Sequence, residues 1–188
     1  MEERNLNIQN IFLDLDNTLV SVEPLKDMKD PDKFRERAIK FDCNHMEHYY
    51  LACGRPYLQN FLDWLFQKYK VHVWTAASKD YALFIVDNFI LSKDRNNRKV
   101  QMILYDKHCR QSKKLYKNPK KLDMLWTTWK LPGYNKYNTV LIDDLEEIHE
   151  AQPRNCLLAR EFNFMDAHSE HDKDLLRLKD KLRKMSSA

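Results

Sequence analysis

Glycine is almost missing from this chain: Gly54 and Gly133 are the only two in 188 residues. A dinucleotide fingerprint, a P-loop and a G-x-S-x-G nucleophile elbow each require glycine at fixed close spacings, so three large enzyme classes are excluded at once. No apolar run approaches the roughly 18 residues of a membrane span, and no membrane role is expected. Met1–Asn10 is polar and lacks the apolar core of a secretory signal. The four cysteines, Cys43, Cys53, Cys109 and Cys156, include no C-x-x-C pair. That usage suits a reducing intracellular compartment, nucleus or cytoplasm. Cys43, His45, His48 and Cys53 fit no compact zinc spacing. The net charge of +4 is too small to argue for nucleic acid by itself.

What is present is a globular composition, 43% hydrophobic and 12% aromatic, enough for one packed core in a single domain spanning 1–188. Strand-length apolar runs alternate with helix-period stretches. Ile11–Asp16 (IFLDLD), Val71–Thr75 (VHVWT), Val100–Tyr105, Thr139–Asp144 (TVLIDD) and Asn155–Ala159 read as strands, and Tyr49–Cys53 as a short one. Helical stripes are expected from Pro56, after Ser78 through Ile90, over Pro119–Lys130, and at the end, where Leu175, Leu178, Leu182 and Met185 share a face. Residues 22–48 read as a small insertion, with a helical pattern near Lys33–Lys40. Strands separated by helices predict an α/β fold, a central parallel sheet with helices on both faces. The functional crevice of such a sheet lies at the carboxyl ends of its strands.

Three strand ends carry chemistry. The first reads Asp14-Leu15-Asp16-Asn17-Thr18, and its two acids, two apart, point the same way in an extended segment. One carboxylate can attack phosphorus and the other can move protons, provided a cation neutralises the incoming phosphate. Thr75 ends the VHVWT strand, where a hydroxyl can hold a phosphate oxygen, although Ser78 also suits a plain helix N-cap. Asp143 and Asp144 end the TVLIDD strand. Two adjacent acids there are costly to bury without a partner, and magnesium would relieve that cost. Lys107–Lys121 holds seven Lys/Arg and no acid; Lys120 or Lys121 is placed to balance the carboxylates.

DLDNT, VWTAAS, a lysine and LIDD, in that order, resemble the four motifs of the haloacid dehalogenase superfamily. CGRPYLQNFLDWLFQKYKVHVWTAAS, PKKLDMLW and HDKDLLRLKDKLRKM resemble the phosphatases that act on the C-terminal domain (CTD) of RNA polymerase II, most of all the ubiquitin-like-domain-containing branch. The match covers most of Asn10–Met185 and is weakest over Ser21–Met46 and Leu91–Asn118. The resemblance implies a three-layer Rossmann-like fold with no large cap domain, and an aspartyl-phosphate mechanism. In it Asp14 is the nucleophile and Asp16 the acid/base. Thr75 and Lys120 (which aligns better than Lys121) hold the phosphate. Asp14, the main-chain carbonyl of Asp16 and Asp143 bind Mg2+. Thr18 and Asp144 support the site, and Arg55 is structural. No ubiquitin-like domain is expected ahead of the phosphatase block.

The expected activity is therefore a magnesium-dependent phosphoserine/phosphothreonine protein phosphatase, with a phosphorylated peptide such as the RNA polymerase II tail as substrate. Two alternatives stand beside it: a polynucleotide 3′-phosphatase, motivated by the basic stretch, and a catalytically silent phosphopeptide-binding protein.

Overall fold

A computed structural model describes residues 6–26, 29–91 and 97–187. Residues 27 and 28 of the expected insertion lie outside that range. Five strands form a parallel sheet: β1 (Asn10–Leu13), β5 (Lys70–Trp74), β6 (Val100–Leu104), β7 (Thr139–Asp143) and β8 (Cys156–Leu158), in the spatial order β6-β5-β1-β7-β8. The chain builds outward from β1 in one direction, then returns and builds in the other. The reversal falls between β1 and β7, where an open α/β sheet leaves a crevice at its carboxyl edge.

Alternation along the strands makes two apolar faces. Ile11, Leu13, Val71, Val73, Val140 and Ile142 pack under one helical layer: α2 (Leu58–Lys68), α3 (Lys79–Ile85) with its wider π-type extension Val86–Leu91, and α6 (Asp174–Ser187). Leu175, Leu178 and Leu182 of α6 are fully buried here, so the closing helix packs on its own domain. Phe12, Trp74, Leu104 and Leu141 face the opposite layer, α4 (Asp106–Tyr116), α5 (Glu146–Glu150) and the segment around Met124–Thr128. His72 also lies on this face, fully buried and stacked on Phe12. The three-layer architecture is as expected, and the described residues include no large cap.

Between β1 and α2 lies an antiparallel three-stranded sheet, β2 (Val20–Pro24), β4 (Tyr50–Gly54) and β3 (Cys43–Met46), ordered β2-β4-β3, with α1 (Pro31–Ala38) in the β2–β3 connection. Residues 22–48 supply part of β2, α1 and β3, and β4 is the short strand read at Tyr49–Cys53. Phe34, Leu51, Cys53, Phe162 and Phe164 give this unit its own small core.

Three details differ from the sequence reading. Cys43 and Cys53 face each other across β3 and β4 and form a disulfide, so cysteine usage no longer argues for a reducing compartment. Cys109 and Cys156 are free and buried. The helix expected from Pro56 starts at Leu58, because Tyr57 adopts a left-handed conformation at the N-cap. The helix expected over Pro119–Lys130 shrinks to a π-type turn, Met124–Thr128. Side chains have taken the backbone partners it needs: Asn118 Oδ1 accepts from Lys120 N–H at 3.0 Å, Gln152 Nε2 donates to Lys120 C=O at 2.7 Å, and Gln152 Oε1 accepts from Leu122 N–H at 3.0 Å.

Candidate active site

Strand register builds the site. Leu13 is paired with Ile142 on β7 and with Val73 on β5, so the next residue along, Asp14, stands level with Asp143 and one residue short of Thr75. Neighbouring parallel strands lie only about 4.8 Å apart, so these side chains converge without any long reach. Asp14 N–H donates to Ile142 C=O at 2.9 Å, extending the ladder to the first acid.

Past Asp14 the chain turns sharply. Asn17 has φ 57°, a left-handed conformation that asparagine tolerates better than most residues. Its N–H donates to Val20 C=O at 2.7 Å. The turn brings Thr18 back over the site, where its hydroxyl lies 3.1 Å from Asp14 Oδ2 and 3.3 Å from Asp144 Oδ1. With one proton to give, it serves one carboxylate at a time. Arg55 locks the turn from behind. Its guanidinium is fully buried, donates to the carbonyls of Thr18 and Arg160 at 3.0 and 2.9 Å, and forks onto both oxygens of Asp172 at 2.8 and 2.9 Å.

Lys120 supplies the balancing charge. It is only 2% exposed, and its Nζ lies 2.5 Å from Asp14 Oδ1 and 2.7 Å from Asp143 Oδ2. Lys121 turns away to Ala151 C=O and Asp123, which settles which lysine enters the site. The clamp of Asn118 and Gln152 on the lysine's backbone explains how a four-carbon side chain is held at one place.

Burial dominates the electrostatics. It lifts the Asp14 and Asp143 carboxyls to about 6, against the pull of Lys120 on each. Asp144 is raised by burial and then by its neighbour Asp143. For Lys120, burial alone would favour the neutral amine, but Asp14 and Asp143 more than offset it, and its pKa is raised above the usual value. Asp16 is raised by burial, while a hydrogen bond from the Tyr81 hydroxyl opposes the rise.

Asp14, Asp143 and Asp144 bring carboxylate oxygens within 4.8 Å of one another. Three acids against one lysine leave an excess of buried negative charge, all of it on oxygen donors, the set a hard cation such as Mg2+ prefers. The residues therefore fit the ion. They do not fit the expected ligand roles equally well. Both oxygens of Asp143 already have protein partners, Lys120 Nζ and, at 3.0 Å, Leu145 N–H. Asp144 is only half-buried, and among the described residues the shared Thr18 hydroxyl is its one side-chain hydrogen-bond partner.

Of the residues singled out from sequence, Asp14, Thr18, Lys120, Asp143 and Asp144 form one connected cluster. Thr75 sits at the neighbouring strand end, 1% exposed, its Oγ1 accepting from Ala77 N–H at 3.1 Å. The Asp16 side chain turns aside to Tyr81, on the first turn of α3. Tyr81, Asn118 and Gln152 went unread in the sequence; only the position of Tyr81, six residues after Thr75 on the following helix, was a usable signal. Trp64 is core, and Trp126 and Trp129 are half-buried against the α4 layer. His168 and His171 are exposed.

Solved structures share this architecture. The RNA polymerase II CTD phosphatase Fcp1 superposes with a TM-score of 0.54 at 20% identity, over 96% of this chain and 52% of that one. A haloacid dehalogenase-like family hydrolase from Streptococcus pneumoniae superposes at 0.51 and 14% identity, over 93% of this chain and 99% of that one. At these identities the likeness is one of fold, and this chain spans about half the length of Fcp1. Among curated proteins, a CTD phosphatase-like protein of Invertebrate iridescent virus 6 is 56% identical over 93% of this chain and 97% of its own. The ubiquitin-like domain-containing CTD phosphatase 1 of Drosophila melanogaster is 28% identical over 70% of this chain and 41% of its own. The parallel sheet is thus the fold of a haloacid dehalogenase-like hydrolase, with clustered acids and a buried lysine at its strand ends. Residues 9–188 match the NLI interacting factor-like phosphatases, and the chain belongs to that family.

Proposed function

We propose that this chain is a magnesium-dependent phosphoserine/phosphothreonine protein phosphatase that works through an aspartyl-phosphate on Asp14. The observation that carries the reading is the convergence of three carboxylates and one ammonium, from three separated segments, at the carboxyl edge of the sheet. Asp14 Oδ attacks phosphorus. The bond from phosphorus to the seryl or threonyl oxygen breaks, and Asp16 donates its proton to that leaving oxygen. Asp16, now a carboxylate, removes a proton from water. The water oxygen attacks phosphorus, the Asp14–phosphorus bond breaks, and phosphate is released. Lys120 and the Thr75 hydroxyl hold the equatorial oxygens and balance their charge. Asp14, the Asp16 carbonyl and one acid of the Asp143–Asp144 pair would hold Mg2+, which neutralises the phosphate approaching Asp14. Because Asp143 is fully buried between Lys120 and Leu145 N–H while Asp144 is half-exposed beside Asp14, we assign the ligand role to Asp144 and give Asp143 the task of positioning Lys120, an exchange of the roles the family resemblance implied.

With no large cap among the described residues the site is open, which suits a phosphorylated side chain on a peptide better than an enclosed metabolite. Relatives named as CTD phosphatases make the RNA polymerase II tail the first substrate to try. The test is hydrolysis of a phosphopeptide panel with and without Mg2+, beside the Asp14→Asn variant. Turnover that needs the ion and vanishes in the variant is expected. A wild-type protein inert on every phosphopeptide would end the protein-substrate reading.

A further inference from the structure

The rim of the site is strongly asymmetric in charge. Lys107, Arg110, Lys113, Lys114 and Lys117 are all exposed, and at 100° per residue they fall within about a third of the circumference of α4 and its C-cap. The opposite face of the helix holds buried Cys109 and Ser112. Arg110 pairs with Asp106 at 2.5 Å; among the described residues the four lysines have no carboxylate partner.

Both ends of this stripe are tied to the catalytic edge. At its start, Asp106 N–H donates to Ala77 C=O at 2.9 Å, two residues past Thr75. At its finish, Lys117 is three residues before Lys120 and so at most about 10 Å from it along the chain. The helix therefore lies along the rim rather than behind it. In the same layer but on the β7 flank of the site, away from the β5–β6 flank where α4 begins, α5 starts two residues beyond Asp144 and presents Glu146, Glu147 and Glu150 to solvent. Asn118 joins the two sides by donating to Glu147 C=O at 3.1 Å.

Building on the phosphatase reading, we infer that α4 is a docking surface for negative charge flanking the reacting phosphoserine, a second phosphorylated or an acidic residue on one side only. The α5 acids select against negative charge on the other side. This asymmetry disfavours nucleic acid bound along its length. A polynucleotide bound along its length carries phosphates in both directions and would meet the α5 carboxylates, whereas a 3′-terminal phosphate has neighbours on one side only, so DNA competition is part of the test. A peptide can carry its charge on one side. The distances place the recognised charge about two to five residues from the reacting one in an extended chain.

The experiment uses the full chain and five phosphoserine peptides: one with neutral flanks, two with a second phosphoserine or three glutamates on the amino-terminal side, and two with the same on the carboxyl-terminal side. Both kcat/KM and binding to the Asp14→Asn variant by fluorescence anisotropy are measured, at low and high salt. One acidic side is expected to improve both by about tenfold over neutral flanks at low salt, the other to give no gain, and the advantage to fade with salt. Lys113→Glu/Lys114→Glu should abolish the advantage and leave turnover of a small aryl phosphate unchanged. Lys113→Gln/Lys114→Gln should halve the advantage or more, and serves if charge reversal unfolds the chain. Equal kcat/KM for all peptides, or an advantage that survives the lysine substitutions, would overturn the inference. So would single-stranded DNA that competes more strongly than the best acidic peptide. Selective anisotropy without any hydrolysis, of peptide or aryl phosphate, would instead sink the phosphatase reading and leave the docking surface standing.

Discussion

Replacing Lys120 by methionine keeps the apolar stem and removes only the charge that two buried acids depend on. Nζ contacts Asp14 at 2.5 Å and Asp143 at 2.7 Å, and the side chains of the three residues are 2%, 7% and 0% exposed. Water cannot take over for the ammonium, so the loss should match a broken buried ion pair, about 3–5 kcal/mol at neutral pH. Asp143→Asn alone should cost about 1–3 kcal/mol, and the double variant should cost less than the sum by about 0.5–3 kcal/mol, since the two changes remove one shared interaction. The pH dependence has a definite sign. Without the lysine, the Asp14 and Asp143 carboxyls rise further above the values near 6 that they already have. Protonated carboxyls need no cation, so the deficit of Lys120→Met should shrink as pH falls toward about 4. Urea unfolding over this range, with each variant, gives all of these numbers. A loss below about 1 kcal/mol that ignores pH would refute the claim that these three groups form a desolvated cluster.

Three further outcomes are expected. His72 is fully buried, its ring nitrogens have no hydrogen-bond partner among the described residues, and burial, reinforced by Lys70, lowers its pKa to about 4. The unfolded chain therefore binds this proton first, and from about pH 7 to about pH 4 the wild type should lose about 3 kcal/mol of stability that His72→Leu does not lose, as paired urea unfolding curves would report. Tyr81→Phe removes the hydroxyl that holds the Asp16 carboxylate, and should lower kcat/KM by about tenfold or more on phosphoserine, a poor leaving group, but much less on a nitrophenyl phosphate that needs no proton. Asp144→Ala should raise the Mg2+ concentration for half-maximal activity at least about tenfold, whereas Asp143→Asn should chiefly lower kcat; a magnesium titration of both variants separates the roles.

Much of this was legible in the sequence because strand ends are where hydrophobic runs stop. IFLDLD and TVLIDD each announce a buried strand and the acids at its carboxyl edge, and a parallel register then leaves Asp14 and Asp143 little choice but to meet. The same runs identify Thr75. What lay hidden depends on contacts distant in sequence. Nothing local says that Gln152 reaches 32 residues back to Lys120, so the stretch after Pro119 reads as an amphipathic helix, though in the fold side chains claim its backbone. Cys43 and Cys53 are ten residues apart in a polar stretch, and only the antiparallel pairing of β3 with β4 shows that they face each other. The division of labour between Asp143 and Asp144 is invisible in LIDD, since adjacent residues at a strand end point to opposite sides and only the position of Lys120 distinguishes them.

The most direct test is to find where the phosphoryl group goes. Wild-type protein is mixed with a radiolabelled phosphopeptide and Mg2+, quenched in acid within the first turnover, and mapped by proteolysis. Label on Asp14, stable in acid, released by hydroxylamine and absent from Asp14→Asn, is the result this account requires. Rapid phosphate release with no labelled protein at any time, or label on another residue, would contradict it.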